Sequence, residues 1–292
     1  MEVYRFDLDH LPPCSPGLSL ALGNFDGFHK GHQSLFVKTA LDASSNSGAL
    51  IFETPFGNGP FLSSSEDKKR YALSSRLDSL YVLSGKEVYS LSAEEFIRRV
   101  LLPLGTKRVV VGEDFRFGKD RSGDVSLLKE YFDVDVVPFC LHKGVKVSSR
   151  SIKELLSLGQ VEEAAELLGK PYEVSGIVAE GFHNGRKIGY PTLNLSLTYD
   201  YVLPMAGVYC GVVYVSGVAY RAMVNVGTNP TLGLLDKPIV EAYLLDYEGE
   251  CYGKLAYCAF LRFLREERKF GSLEELKAQL EIDEANVKES LS

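Results

Sequence analysis

Apolar residues in the first half of the chain come in short runs of strand length, at Leu18–Leu22, Ala49–Phe52, Leu80–Leu83, Arg108–Val111 and Val134–Pro138. Between them the spacing becomes helical, over His32–Ala43, Glu66–Asp78, Ala93–Leu102 and Asp124–Phe132. Ser92 with Glu95 three residues on makes a capping box at the start of the third helix. Strands alternating with helices predict βαβ units and a mostly parallel sheet covered on both faces. Ligands of such sheets sit beyond the carboxyl ends of the strands, so the loops after Leu22, Phe52 and Val111 are where chemistry is expected.

A helical stretch follows, SIKELLSLGQVEEAAELLG, in which Ser151 and Glu154 form another capping-box pair and Gly169-Lys170-Pro171 is a helix stop. Beyond Pro171 the pattern alternates with period two, at Tyr172–Val178, Val208–Val215, Tyr220–Val226, Val240–Leu245 and Gly253–Leu264. Ser216-Gly217 and Glu248-Gly249 read as tight turns. Ser272-x-x-Glu275 opens a last amphipathic helix carrying Leu273, Leu276, Leu280 and Ile282. The chain is therefore expected to hold an α/β domain over 1–169 and an antiparallel barrel with a closing helix over 170–292.

Composition narrows the class. A length of 292 residues suits two domains, and 45% hydrophobic with 24% charged residues excludes a disordered chain. The net charge, 32 − 39 = −7, argues against a nucleic-acid or membrane-surface binder held by charge. It leaves room for a phosphate ligand, for which a few local donors suffice. Five cysteines without a Cys-x-x-Cys exclude a zinc ribbon and suit the reduced thiols of a cytosol. No apolar run approaches the roughly 20 residues that span a bilayer, and MEVYRFDLDH has acids where a signal peptide would be basic and then apolar. A cytoplasmic protein is expected.

The segment LSLALGNFDGFHKGHQSLF runs from a strand through Gly23-Asn24-Phe25-Asp26-Gly27 into a helix start at His29-Lys30-Gly31-His32. Histidines three apart on a first turn share one face with the unpaired N–H groups of the helix start. Such donors, aided by the helix dipole, suit charge building on the oxygens of an attacked phosphate and on a leaving pyrophosphate. Gly31 and Gly23 remove side chains that would hold a phosphate off the backbone. A pair of satisfied surface histidines is the alternative; the strand before and the helix after favour the phosphate site. Further on, VVVGEDFRFGKDRSGD places Phe115 and Phe117 around Arg116 at a strand's carboxyl end. They offer flat apolar surface to a planar ring, or else plug the sheet edge.

These residues resemble a known family. GNFDGFHKGH is similar to the nucleotidyltransferase superfamily signature, and its flanks resemble the adenylyltransferase half of bacterial bifunctional riboflavin kinase/FMN adenylyltransferases (FAD synthetases). VVVGEDFRFGKDRSGD resembles that family's Gly-x-Asp-Phe-x-Phe-Gly segment, which helps form its flavin pocket. The resemblance implies a Rossmann-like domain in which Gly23, Asn24, Phe25, Asp26, His29, His32, Ser148 and Arg150 bind ATP. Asp114, Phe115, Arg116 and Phe117 would line the flavin pocket. The chain departs from the family in three places. Phe52-Glu53-Thr54-Pro55-Phe56 lacks the histidine of Phe-Glu-Pro-His-Pro, Ser148-Ser149-Arg150-Ser151-Ile152-Lys153 replaces Ser-Ser-Thr-x-Ile-Arg, and Asn229 stands for an arginine.

The second half has its own glycine cluster, GFHNGRKIGYPTLN at 181–194, without the Gly-Lys-[Ser/Thr] of a Walker loop. Gly181, Gly185 and Gly189 leave backbone N–H groups accessible, and Arg186 and Lys187 add positive charge for a polyphosphate. Thr192 and Asn194 fall on one side of a strand, hard oxygen ligands suited to Mg²⁺. A glycine-rich hairpin connection is the alternative. The segment resembles the riboflavin kinase Pro-Thr-x-Asn motif; NVGTNPT, with Asn225, and VEAYLLDYEGECYGK match further segments of that family. Glu241 corresponds to its catalytic glutamate, and a carboxyl in an apolar strand can have its pKa raised towards that of a useful base, unless it simply faces solvent.

The resemblance implies a six-stranded riboflavin-kinase-like barrel and two consecutive reactions on ATP with Mg²⁺. Riboflavin would become FMN in the barrel and FMN would become FAD in the α/β domain, with His29 and His32 catalytic in one and Glu241 in the other. ATP, riboflavin and FMN would be its small-molecule partners and flavoproteins the recipients of FAD. Two other readings stay open: a binding regulator with a lapsed transferase half, and a kinase whose α/β half adenylylates a different phosphate.

Overall fold

Six strands of the first half form one all-parallel sheet: β1 (Glu2–Phe6), β2 (Leu18–Leu22), β3 (Ser47–Phe52), β4 (Ser79–Leu83), β5 (Thr106–Gly112) and β6 (Asp133–Val137). Their order is β1-β4-β3-β2-β5-β6, and a small antiparallel pair, β7 (Leu141–His142) and β8 (Val145–Lys146), follows them in the chain. After β2 the chain builds β3 and β4 on one side, then returns to build β5 and β6 on the other. The connections leave β2 and β5 in opposite directions and open a crevice at their carboxyl ends. All five expected strands are present. β1 is additional; Glu-Val-Tyr-Arg-Phe is too charged and short to stand out, and parallel pairing with β4 and stacking of Tyr4 on Tyr81 hold it. Alternate residues of β2 serve opposite faces. Leu20 and Leu22 join a core with Phe96, Ile97 and Leu101, while Ala21 joins one with Phe25, Phe36 and Leu80.

Helices α1 (Lys30–Ala40), α2 (Ser65–Leu73), α3 (Ala93–Phe96, continuing as a π-helical turn over Ile97–Leu101) and α4 (Val125–Lys129) connect the strands. The Ser92/Glu95 capping box forms, with Ser92 N–H donating to the Glu95 carboxylate at 2.8 Å and Glu95 N–H to Ser92 Oγ at 3.2 Å. A second box, Ser64/Asp67, starts α2 slightly earlier than expected. The long helical stretch is two helices, α5 (Ser149–Ser157) and α6 (Val161–Leu168), because Gly159 at φ 74° takes the left-handed conformation between them. Ser151 lies within the first turn of α5 rather than at its N-cap.

The structure is a computed structural model that describes residues 1–41, 46–53, 59–179, 189–228 and 238–290. The chain divides into two compact units, Met1–Ser149 and Arg150–Ser292. In the second, β9 (Tyr172–Ala179), β10 (Thr192–Leu197), β11 (Gly207–Val215), β12 (Val218–Thr228), β13 (Pro238–Leu244) and β14 (Leu255–Arg265) form a closed barrel ordered β10-β13-β12-β11-β14-β9, antiparallel at every pairing. Ser216 and Gly217, at φ 55° and 80°, make the expected tight turn between β11 and β12. Glu248-Gly249 lies instead inside the longer connection 245–254.

Helix α6 packs on β9 and β14 and buries Val161, Ala164, Leu167 and Leu168. The second unit thus begins ahead of Gly169, which lies between α6 and β9. The closing helix α7 (Leu273–Ser290) is present, but Leu273 and Ile282 are exposed and Asp283 and Val287 are buried. The stripe Leu280–Asp283–Val287 faces the barrel because Asp283 pairs with Arg265 of β14 at 2.8 Å and accepts from Gln279 Nε2 at 2.8 Å.

A fragment spanning Arg150–Ser292 is expected to fold cooperatively. One starting at Lys170 should be less stable by about 4 kcal/mol or more, through loss of the α6 apolar face. Urea unfolding of the two fragments checks this, and equal midpoints would refute it.

Candidate active sites

The turn from β2 into α1 is shaped from inside. Phe25, Gly27 and Phe28 have φ of 51°, 78° and 47°, conformations that non-glycine residues adopt only when held. Asp26 holds them. Its carboxylate accepts from Leu62 N–H at 2.8 Å and Ser63 N–H at 3.1 Å, and Gly27 N–H donates to Ser63 Oγ at 2.8 Å. Phe25 is fully buried, edge-on to His32 and Phe36 at 5.3 and 5.0 Å. A Cβ on Gly23 would come within 2.9 Å of the Phe25 ring. Gly23 is therefore required by the turn's own packing, and Phe25 and Asp26 act from beneath the site rather than at its surface.

His29 is the N-cap of α1; its Nδ1 accepts from His32 N–H at 3.4 Å, which leaves the proton on Nε2. The two imidazoles stack with centroids 3.6 Å apart, and a Cβ on Gly31 would lie 3.2 Å from the His29 ring. Burial lowers the pKa of His29 from 6.5 to about 4. Burial, then the neighbouring His29 and Lys68, hold His32 well below its ordinary value. Both rings are neutral near pH 7, donors rather than cations. Lys68 of α2 is itself buried; desolvation pulls it down to about 8, opposed by the charges of Asp26 and Asp67.

Two cavities of about 370 Å³ each open at the switch point. One is mainly apolar, lined by Phe52, Val88, Phe96, Phe115 and Phe117, the last two stacked at 5.7 Å. The other is polar and is lined by His29, Gly31, His32, Asp114, Lys146 and Ser148. Gly23, Asn24, Arg116 and Arg121 line both, so the cavities share a wall. Asp114 is paired with Lys146 at 2.6 Å and Arg116 with Asp124 at 2.6 Å. Arg150 is exposed, one residue beyond the first unit.

In the barrel, pairing register builds the second site. Asn194 of β10 and Asn225 of β12 both stand opposite Glu241 of β13, so the three side chains share one face. Thr192 lies on that face too, opposite Tyr243. Met223, Tyr243 and Cys210, which cluster with Val287 of α7, identify it as the outer face. Asn225 Nδ2 donates to Glu267 at 3.2 Å. Burial, reinforced by the Glu267 charge, raises the pKa of Glu241. Thr192 and Gly189 line a further cavity of about 330 Å³ with Tyr243, Tyr247 and Tyr252. Gly181, Gly185, Arg186 and Lys187 lie outside the described residues, as do Thr54-Pro55-Phe56 and Asn229.

Residues 11–151 match the FAD synthetase family and residues 168–291 the riboflavin kinase family. A bifunctional riboflavin kinase/FMN adenylyltransferase of Listeria monocytogenes is 34% identical over 92% of this chain and 91% of its own length. The chain belongs to the bifunctional riboflavin kinase/FMN adenylyltransferase family. Members from Bacillus subtilis and Escherichia coli are each 33% identical, over 90% and 94% of this chain and 89% and 92% of their own. A crystal structure of a Streptococcus pneumoniae protein named for macrolide efflux superposes with a TM-score of 0.87 at 30% identity, over 99% of both chains. Among the described residues of this chain no helix is long and apolar enough to cross a membrane.

Family membership places an adenylyltransferase half over the crevice of the α/β unit and a kinase half over the barrel. Phosphoryl and adenylyl transfers from ATP use a divalent cation to offset phosphate charge. The donor set on the barrel face, a hydroxyl from Thr192 and an amide oxygen from Asn194 beside the Glu241 carboxylate, fits a hard cation. Lys68, Lys146, Arg121 and Glu267 escaped the sequence reading. Lys68 and Arg121 lay inside segments singled out for other reasons, the helical pattern Glu66–Asp78 and the segment 109–124, but nothing in their spacing marked either side chain.

The depressed pKa of His29 has a consequence for stability. Below about pH 6.5 the unfolded chain binds a proton that the folded one refuses. This contribution is intact above pH 6.5 and is lost at about 1.4 kcal/mol per pH unit as pH falls towards about 4. Melting of the first unit should drop steeply between pH 6.5 and 4.5, and less steeply in His29→Asn, which keeps a capping acceptor. Identical pH profiles would contradict the assignment.

Proposed function

We propose that this chain makes FMN from riboflavin in the barrel and FAD from FMN in the α/β unit, with Mg²⁺·ATP as donor in both. The observation that carries this reading is the pair of cavities at the switch point, one apolar and one polar, sharing a wall. A flavin ring suits the aromatic cavity and a triphosphate the cavity floored by His29 and the α1 N-terminus. An FMN phosphate oxygen attacks the α-phosphorus of ATP, the bond to the β-phosphate breaks and pyrophosphate leaves. Neutral His29 donates from Nε2 to oxygens that gain charge, assisted by the helix dipole; Asn24 and Ser148 position the phosphates. Phe115, Arg116 and Phe117 border the flavin, and Arg150 is an ATP contact on the strength of the motif alone.

In the barrel, Glu241 takes the proton of the ribityl hydroxyl as that oxygen attacks the γ-phosphorus and ADP departs. Its raised pKa supports this role, because a base works best when its pKa approaches the working pH. Thr192 and Asn194 would hold Mg²⁺, which offsets phosphate charge when bound. Gly181, Gly185, Arg186, Lys187 and Gly189 are assigned to the ATP phosphates on the strength of the motif alone, and Asn225, opposite Glu241, to the nucleotide. The free cysteines suit a cytoplasmic enzyme that passes FAD to flavoproteins.

Chromatography of products from riboflavin, ATP and Mg²⁺ tests the whole scheme, and absence of either FMN or FAD removes the corresponding half. Glu241→Gln should slow FMN formation by roughly 10²–10⁴ and leave adenylylation of supplied FMN unchanged. His29→Ala or His32→Ala should slow FAD formation by about 10²–10³ and spare the kinase. Equal losses in both reactions would point to damaged folding instead.

A further inference from the structure

The wall between the two cavities carries a cation that neither reaction described above uses. Arg121 lines both the apolar and the polar cavity. Arg116 does the same, but its guanidinium is held at 2.6 Å by Asp124, whose other oxygen caps α4 through Ser126 and Leu127. Arg121 makes no ion pair with any described residue and is exposed.

Its position is enforced. Phe117 and Gly123 exchange backbone hydrogen bonds of 3.1 and 2.9 Å, closing a loop whose Lys119 N–H is tied to Leu91 O at 2.7 Å. Gly118 and Gly123 press on Ala93, where an added Cβ would come within 2.6 and 2.5 Å. At the tip of this clamped loop Asp120 and Arg121 have φ of 54° and 57°. The left-handed region disfavours such side chains, yet a long cationic one is displayed there, on a loop tied down at both ends.

Adenylyl transfer to a flavin phosphate must bring a second phosphate against the triphosphate, and two anions approach closely only with a cation between or beside them. A flavin whose ring fills the apolar cavity would project its ribityl phosphate over the shared wall into the polar one. We propose that Arg121 reads the phosphate monoester of the acceptor and so selects phosphorylated over phosphate-free flavins at the α/β unit. This rests on the proposed FMN adenylylation. The guanidinium fork suits a phosphate bidentately, which an ammonium matches only in part.

The test uses the full-length chain, with Arg121→Ala and Arg121→Lys compared with the parent. For FMN adenylylation, kcat/KM for FMN, KM for ATP and the inhibition constant of lumiflavin are measured, lumiflavin having no ribityl hydroxyl to be phosphorylated. In the alanine variant kcat/KM for FMN should fall by about 10- to 100-fold, the scale of one lost charge-assisted contact, and lysine should restore part of it. Lumiflavin inhibition, KM for ATP and the riboflavin kinase rate should stay within about twofold of the parent. Unchanged kcat/KM for FMN overturns the proposal, as does a loss carried by ATP or an equal weakening of lumiflavin, which would mark a role in shaping the cavity. A parent chain that makes no FAD from FMN defeats the proposed adenylylation itself, whereas a parent that does, matched by Arg121→Ala, defeats only the role of Arg121.

Discussion

A carboxylate at the bottom of a crevice organises the first unit. The sheet order leaves the carboxyl ends of β2 and β5 uncovered, and that gap is usable only if the turn leaving β2 is rigid. Asp26 makes it so. By accepting from the backbone of residues 62 and 63 it holds Phe25 and Phe28 in left-handed conformations, and the Phe25 ring then supports His32. Buried Lys68 offsets the charge that Asp26 carries into the interior, where an unpaired carboxylate would cost several kcal/mol. Removing this one side chain would loosen the glycine turn, the histidine pair and one wall of both cavities together.

The barrel reaches a comparable constellation by a different route. No turn concentrates its polar groups; three strands in fixed antiparallel register place Asn194, Glu241 and Asn225 in one row. Because side chains alternate, a slip of one residue in β13 would send Glu241 into the barrel interior and bring Ala242 to the site. Closure of the sheet on itself guards against such a slip, since every strand is paired on both sides.

Burial sets the protonation state in both units, with opposite use. Desolvation disfavours charge, so it empties His29 and His32 of their second proton and raises the affinity of Glu241 for its own. Neutral imidazoles donate hydrogen bonds to phosphate oxygens without adding a full positive charge. A carboxylate of raised pKa is a stronger base than a solvated one. The same desolvation thus shifts pKa in the two units in opposite directions, as the roles proposed for His29 and Glu241 require.

Much of this was legible in the linear chain, because it is local. Periodicity alone marks β2 to β6, the change to antiparallel strands past Pro171 and the Ser92/Glu95 box, and the strand–glycine turn–helix order marks the turn that leads from β2 through His29 into α1. Other features are non-local and needed the folded chain. Gly159, in the left-handed conformation, splits one helical pattern into two, and α6 then packs on β9 and β14. The inward face of α7 follows Asp283 and its partner Arg265, whereas its apolar residues suggested a different stripe. Phe25 lies in the signature segment yet works from inside the core. Arg121 and Glu267 acquire meaning only when distant segments converge. Sequence spacing determines which residues share a strand or a helix face, since rise and twist per residue are fixed. Only tertiary structure decides what lies opposite that face, because strand register and loop closure depend on the whole packed chain.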